Sequence, residues 1–219
     1  MSEISQTVKK KRKHLRKIKE VNMLKISKMT GKLKGIDAIN TNTLSNSFCS
    51  KMRETDAICK ECYSASMLKG VRKNCVEPWQ KNSDKLSKVI PVENLPVINA
   101  HSFRFHGHGE LINYQHLENF MNIARKNPFT TFAIWTKRIG FIRKWKKQHK
   151  TLENVVFIYS NPSTEKKMTR PPAGFDKVFN ALYDDTVNSN ETLCTGVSCI
   201  DCMACYRHNK HTVIVEKVK

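Results

Sequence analysis

Most cysteines of this chain lie in two short groups whose spacing is typical of metal binding. The segment CSKMRETDAICKECYSAS (residues 49–66) spaces three cysteines as C-x9-C-x2-C, and CTGVSCIDCMACY (194–206) spaces four as C-x4-C-x2-C-x2-C. The first set is Cys49, Cys59 and Cys62; the second set is Cys194, Cys199, Cys202 and Cys205. Cysteines grouped in this way form disulfides, bind zinc or hold iron–sulfur clusters.

The compartment helps to choose between these chemistries. No apolar run is long enough to cross a bilayer, and the basic N-terminus lacks the apolar stretch of a secretory signal. We therefore expect a cytoplasmic protein with no membrane association. Thiols stay reduced there, which favours a metal site over a disulfide framework.

Zinc and iron–sulfur clusters make different demands on the spacing. Two C-x2-C pairs, Cys59/Cys62 and Cys199/Cys202, would suffice for a structural zinc site, but Cys49 and Cys194 would then have no role. The overlapping C-x2-C-x2-C run of the second set is more typical of iron–sulfur ligation. We expect one or two [4Fe–4S] clusters, with zinc as the alternative, and the two sets could also share one cluster.

The first set has a sharper interpretation. Three thiolates can hold three irons of a [4Fe–4S] cube and leave the fourth iron open, which is what binding and reductive cleavage of S-adenosylmethionine require. The most frequent spacing in radical-SAM enzymes is C-x3-C-x2-C with an aromatic before the last cysteine. Here the first gap is nine residues and Tyr63 follows the last cysteine.

The charge of the chain points to a polyanionic partner. It has 39 Lys and Arg against 19 Asp and Glu, a net charge of +20. Residues 1–34 contain KKKRKHLRKIKE and are predicted to form a basic tail or a helix that orders on a partner. Nucleic acid or a nucleotide is the expected partner, and a solvated lysine-rich surface is the alternative.

The remaining sequence alternates between strand and helix patterns. Strands are predicted at 35–44, 96–105, 129–136, 154–160, 177–185 and 211–218, with helical patterns at 61–74, 79–90, 113–127 and 139–150. This order predicts right-handed βαβ units and a parallel sheet. The fold class is therefore α/β, a partial (half) TIM-like barrel over residues 35–193, followed by a cysteine-rich segment with the last strand over 194–219.

In such a sheet the ligands bind beyond the carboxyl ends of the strands. The candidate cofactor-binding residues are those that end the predicted strands, together with one arginine inside a strand: Gly107, Gly109, Glu110, Thr136, Lys137, Ser160 and Arg104. Strand alternation places Arg104 on the face opposite to Phe103 and Phe105. Cys75 lies in a helical region and is predicted to be a buried thiol rather than a ligand.

Several of these motifs together resemble the phage gene product 88-like family. The resemblance rests on CKECYSAS after an upstream cysteine, FRFHGHGEL, FAIWTKR, VFIYSNPS and the terminal C…CxxCxxCY, in that order over residues 40–215. It implies a cysteine-bound metal cluster on a radical-SAM-like half barrel, in a bacteriophage protein that acts in the cytoplasm of a bacterial host. The family usually has Gly-Asp where this chain has Gly109-Glu110, and GHGE is similar to the Gly-Gly-Glu segment with which radical-SAM enzymes bind the methionyl amine.

These observations predict an iron–sulfur protein of phage type that, if it is an enzyme, is radical-SAM-like and acts on a nucleotide or nucleic acid. The alternative is a non-catalytic nucleic-acid-binding protein with a structural iron–sulfur cluster or zinc site. No residue is assigned a catalytic role at this point.

Overall fold

A single eight-stranded sheet organises the protein. The computed structural model describes residues 24–184 and 186–218. The strands are β1 (Ile26–Lys28), β2 (Asp37–Ile39), β3 (Ser102–Phe105), β4 (Thr131–Thr136), β5 (Val155–Ser160), β6 (Lys177–Leu182), β7 (Thr192–Leu193) and β8 (Val213–Lys217). Their order is β1-β2-β3-β4-β5-β6-β8-β7, so β1 and β7 are the two edges and the sheet is open. Only the β1–β2 pair is antiparallel; all other pairs are parallel.

Six α-helices lie in the part of the chain that the structure describes. They are α1 (Ser47–Arg53), α2 (Tyr63–Lys69), α3 (Val76–Leu86), α4 (Tyr114–Lys126), α5 (Ile139–Gln148) and α6 (Cys199–Cys202). Pro78 does not interrupt α3, because it lies in the first turn of that helix, where no backbone N–H is needed. None of the described helices is long and apolar enough to span a membrane.

The two faces of the sheet are covered differently. On one face Phe103, Phe105 and Phe132 pack with Phe120 of α4 and Trp145 of α5 in the main core. On the other face a smaller core of Ile36, Ala133, Val156 and Ile158 packs against Tyr206 and its neighbours in the C-terminal segment. The cysteine-rich segment therefore covers the face that the helices leave free.

The expected α/β class with a parallel sheet is confirmed, although the ends of the chain contribute more to the sheet than predicted. Residues 24–34 were predicted to belong to the basic tail, but β1 pairs with β2, and Leu24, Met29 and Leu33 are buried. Residues 1–23, the rest of that predicted tail, lie outside the described residues. Strand β7 pairs with β8, so the sheet also continues across the boundary expected at residue 194.

The first predicted strand is much shorter than expected. Of residues 35–44 only Asp37–Ile39 form β2, because the following residues turn into a buried polar loop. In this loop the Asn40 side chain accepts a hydrogen bond from the His108 backbone N–H at 2.8 Å. The apolar pattern predicted a continuous strand, but loop-to-loop hydrogen bonds at the carboxyl edge end it early.

Candidate metal centres and strand-end site

The first cysteine set lies at the carboxyl edge of the parallel sheet, just after β2. Cys49 is in α1, Cys59 is in a 3-10 turn at Ile58–Glu61, and Cys62 occupies the position just before the first residue of α2. Because β2 to β6 are parallel, the loops that follow them meet at this same edge. The cysteines are thereby placed among the ends of β3, β4 and β5.

Three hydrogen bonds tie the cysteine-bearing segments to those strand ends. The Asn46 side chain caps α1 by accepting from Cys49 N at 3.4 Å, and it donates to the Glu110 carbonyl at 2.9 Å. The Ile58 N–H donates to the Pro162 carbonyl at 2.8 Å. The Tyr63 hydroxyl donates to the Gly107 carbonyl at 2.9 Å. Each segment therefore has its own anchor on a loop that follows β3 or β5.

The thiols of this set act on one another electrostatically. Burial raises the pKa of Cys49 to about 12, and Glu110, Cys62 and Cys59 act in the same direction. Burial also raises the pKa of Cys59, while the nearby Lys137 ammonium opposes this shift. The three thiols, Glu110 and Lys137 thus form one neighbourhood, in which a bound cation would stabilise the thiolates.

Beside these thiols, four predicted site residues form one hydrogen-bonded strip along the strand ends. The Glu110 carboxylate accepts from Thr136 Oγ1 at 2.6 Å, from Lys137 N at 2.8 Å and from Leu111 N at 2.7 Å. Lys137 Nζ donates to Ser160 Oγ at 2.7 Å, which extends the strip to the end of β5. Glu110 is only 6% exposed, and burial raises its pKa against the opposing effect of these hydrogen bonds.

The two predicted glycines allow close packing beneath the strip. A Cβ on Gly109, whose φ is +106°, would lie 2.0 Å from Thr41 Oγ1. A Cβ on Gly107 would lie 2.5 Å from Met29 Cε. Gly109 therefore needs to be glycine, because it combines positive φ with close contact to Thr41 in the loop after β2. At Gly107 the closest contact is the end of the flexible Met29 side chain, which could shift.

The second cysteine set lies on the sheet face opposite the helical core. Cys194 follows β7, its N–H donating to the Val215 carbonyl at 2.7 Å, and Cys199 and Cys202 begin and end α6. Met203, with φ +53°, turns the chain so that Cys205 follows in a 3-10 turn. All four cysteines line one cavity of about 30 Å³, together with Tyr206 and Ile214.

Cations surround this second set. Lys32 Nζ lies 4.0 Å from Cys194 Sγ and forms an ion pair with Glu216 of β8. Burial raises the pKa of Cys199 and raises that of Cys205 to about 12, while the Arg104 guanidinium lowers both. Arg104 therefore belongs to the surroundings of the second set and not to the strip with Glu110.

Arg104 is held by a neighbouring ring and a backbone carbonyl. Its guanidinium carbon lies 3.7 Å from the centroid of Trp135, and its Nε donates to the His106 carbonyl at 3.0 Å. As predicted, it lies on the face opposite to Phe103 and Phe105.

Neither set is a preformed mononuclear site. Among residues 24–184 and 186–218, no group of three or more His, Cys, Asp or Glu side chains is placed to hold a metal ion. The eighth cysteine, Cys75, is half-buried at the end of a 3-10 turn, and its thiol contacts Asn74. It is less buried than the sequence predicted.

Some residues of these sites were not identified from the sequence. Asn46 precedes α1 as an N-cap residue commonly does, so a local signal existed for its capping role. Lys32, Glu216 and Tyr206 carry no comparable signal, since their contacts join distant parts of the chain.

Comparison with known proteins identifies the family. No curated protein and no solved structure gives a significant match to the chain. A family model described as gene product 88 matches residues 2–214, nearly the whole chain. The two cysteine sets and the strand-end strip thus lie within a chain that belongs to the gene product 88 family.

Proposed function

We propose that the protein is an iron–sulfur protein in which the two cysteine sets hold separate [4Fe–4S] clusters. The observation that carries this proposal is the separation of the seven thiols into two neighbourhoods on different parts of the sheet. The second set supplies four ligands, which is full ligation of a cubane cluster. The first set supplies three, which leaves one iron open.

We further propose that the first set serves a radical-SAM-like reaction. The strands β2, β3, β4, β5, β6 and β8 follow one another as parallel neighbours in an open sheet, an order compatible with a partial barrel. In parallel α/β sheets the active site lies at the carboxyl ends of the strands, and the first set lies there. S-adenosylmethionine bound at an open iron would supply a carbon radical that abstracts hydrogen from a substrate.

The strip beside the first set supports binding of a charged cofactor or substrate. Lys137 offers an ammonium and Ser160 a hydroxyl at one end, and the Glu110 carboxylate is fixed by three internal donors at the other. Such internally fixed groups keep their orientation while a ligand enters. The net charge of +20 supports a nucleotide or nucleic acid as substrate.

The dimensions of the second cavity favour a second candidate function. A volume of about 30 Å³ is room for one water molecule or a single ion. Four cysteines are also the full ligand set of a tetrahedral structural zinc site, and a single ion needs less room than a four-iron cluster. Among the described residues the thiols are not placed to hold a metal ion, so either group requires them to move. The second candidate is therefore a non-catalytic nucleic-acid-binding protein with structural zinc.

Metal and sulfide analysis of the full chain, purified without oxygen, decides between these candidates. About eight irons with matching sulfide per chain would support two cubane clusters, and about four would support one. Zinc without sulfide would overturn the iron–sulfur proposal and favour the second candidate.

The radical-SAM part of the proposal needs a separate assay. Reductive cleavage of S-adenosylmethionine should be detected with the wild type and lost in Cys59→Ser while the iron of the second set remains. Cleavage that persists in Cys59→Ser would contradict the proposal. Salt-sensitive binding of DNA or RNA without any S-adenosylmethionine binding would favour the non-catalytic candidate.

A further inference from the structure

Tyr206 carries a polar group that the folded chain does not use. The residue is only 3% exposed, and its hydroxyl is buried without a hydrogen-bond partner. A buried hydroxyl without a partner is costly, because the hydrogen bonds that it makes with water in the unfolded chain are not replaced. Most buried polar groups are satisfied, so this exception requires an explanation.

The surroundings of Tyr206 leave few choices for such a partner. Its ring packs in the small core with Ile158 and lies edge-on to Trp135, with centroids 6.0 Å apart. Arg104 covers the same Trp135 ring. Arg104 lies near enough to act on the Tyr206 hydroxyl as a donor and so opposes the rise that burial causes in its pKa. A guanidinium has donors only, so it can occupy the phenolic oxygen but leaves the phenolic hydrogen without an acceptor.

Sulfur is the most frequent side-chain acceptor in the cavity beside Tyr206, and the hydroxyls of Thr192 and Thr195 are the other oxygen acceptors among its side chains. Tyr206 lines it together with Cys194, Cys199, Cys202 and Cys205. Thiolate sulfur and cluster sulfide accept hydrogen bonds, and such bonds help to set the reduction potential of iron–sulfur centres. The other side chains that line this cavity are mostly apolar or threonine.

We propose that the Tyr206 hydroxyl donates a hydrogen bond to a sulfur of the metal group held by the second cysteine set. The bond stabilises negative charge on that sulfur, and the nearby Arg104 cation strengthens the effect by polarising the phenol. This inference rests on the proposed function only in requiring a metal group at the second set. It assigns Tyr206 as a positioning and tuning residue, distinct from the ligands.

The test compares Tyr206→Phe with Tyr114→Phe in the full chain. Both substitutions remove one phenolic hydroxyl, but Tyr114 donates to Gln148 Oε1 at 2.8 Å on the helical side of the sheet. Both are made in a Cys59→Ser background, so that only the second set keeps all of its cysteines. Iron, sulfide and zinc are measured first, and the midpoint potential is then measured by a titration followed by electron paramagnetic resonance.

With a cluster present, Tyr206→Phe should shift the midpoint potential to a more negative value than the Tyr114→Phe control, at equal iron content. Equal potentials in the two variants would overturn the proposal. In metal-free protein, Tyr206→Phe should unfold at the same denaturant concentration as wild type or at a higher one, because no internal hydrogen bond is lost. Earlier unfolding of this variant would mark the hydroxyl as structural and would also overturn the proposal.

If the wild type holds zinc without sulfide, the iron–sulfur proposal is contradicted. The proposal about the Tyr206 hydroxyl can still be tested in that case. Cobalt then replaces zinc, and the thiolate-to-cobalt absorption band is compared in the same variants. Loss of the hydrogen bond from Tyr206 should move this band to longer wavelength, since the thiolate becomes more electron-rich. An unchanged band would overturn the proposal.

Discussion

The two cysteine sets differ in the charges that act on their most buried thiols. The first set lies beside the buried Glu110 carboxylate, which raises the pKa of Cys49. The second set lies near Lys32 and Arg104, which act against the effect of burial on Cys199. The most buried thiol of each set therefore meets charges of opposite effect: Glu110 adds to the effect of burial on Cys49, whereas Arg104 opposes it on Cys205. Each set also has a charge of the other sign nearby, Lys137 beside Cys59 and Glu216 beside Cys194, so the contrast concerns these individual thiols.

The regions also differ in how the backbone holds them. Around the first set, Asn46 caps α1 and anchors it to Glu110, and Gly109 packs tightly on Thr41. Around the second set, Ser198 makes no side-chain capping bond at α6, and a Cβ on Gly196 would meet nothing within 4 Å. The backbone of the first region is closely packed against neighbouring segments, whereas the backbone of the second region is held by fewer contacts.

The largest effects are expected from removing one cysteine of either set. Cys59→Ser should abolish the cluster of the first set and leave that of the second, and Cys199→Ser should do the reverse, because each set supplies its own ligands. Iron and sulfide content of the anaerobically purified variants measures this, with Cys75→Ser as the control that retains all metal. Loss of all iron in both single variants would instead indicate one cluster shared between the sets.

A second comparison replaces a glycine in each region by alanine. Gly109→Ala should lower the free energy of unfolding by about 4 kcal/mol or more, since it combines positive φ with a Cβ that has no room. Gly196→Ala, also at positive φ but in open space, should lower it by only about 1 kcal/mol. Urea denaturation of the metal-free variants measures both values. Equal losses would contradict the difference in packing between the regions.

Acid should lower the free energy of unfolding through two buried histidines near the first region. Burial lowers the pKa of His106 to about 3 and lowers that of His116 well below its usual range. Because the unfolded chain binds protons near pH 6.5 and the folded chain does not, stability is complete above that value and is lost as the pH falls below it. Between pH 7 and pH 5 the two histidines together should reduce the free energy of unfolding by about 3–4 kcal/mol.

The pH dependence of unfolding in two variants separates this effect from general acid denaturation. His106→Asn should remove about half of the histidine contribution, since asparagine tolerates the φ of +64° at this position. His101→Asn, at an exposed position just before β3, should leave the pH dependence as in wild type. An unchanged pH profile in His106→Asn would show that this histidine does not cause the loss.

The smallest effect concerns the caps of the two cysteine-bearing helices. Asn46→Ala should lower the free energy of unfolding by about 1–2 kcal/mol, because it removes a cap and the bond to the Glu110 carbonyl. Ser198→Ala should change it by less than about 0.5 kcal/mol, since this side chain makes no capping bond. Denaturant unfolding of the two variants tests the difference, and a larger loss in Ser198→Ala would reverse the comparison.

The central strands of the sheet could be predicted from sequence because their patterns are local. The apolar runs that became β4 and β5 end in Thr136 and Ser160, and the loop after β3 carries Glu110; these polar residues belong to the strip at the carboxyl edge. The ends of the sheet were predicted less well. Strands β1 and β7 are three and two residues long, which is too short to give a recognisable pattern in the sequence. They form because they pair with the neighbouring strands β2 and β8.

By itself, the sequence determined the α/β class, the two cysteine sets and the strand-end residues, because these depend on periodicity and spacing within short segments. Alternation also placed Arg104 opposite to Phe103 and Phe105. Only the tertiary structure decided that the C-terminal segment covers that face, so that Arg104 lies near the second set. The Lys32–Glu216 ion pair joins residues 184 positions apart, and no local pattern predicts such a contact. Packing between distant segments decides which charges and hydroxyls surround each group of thiols.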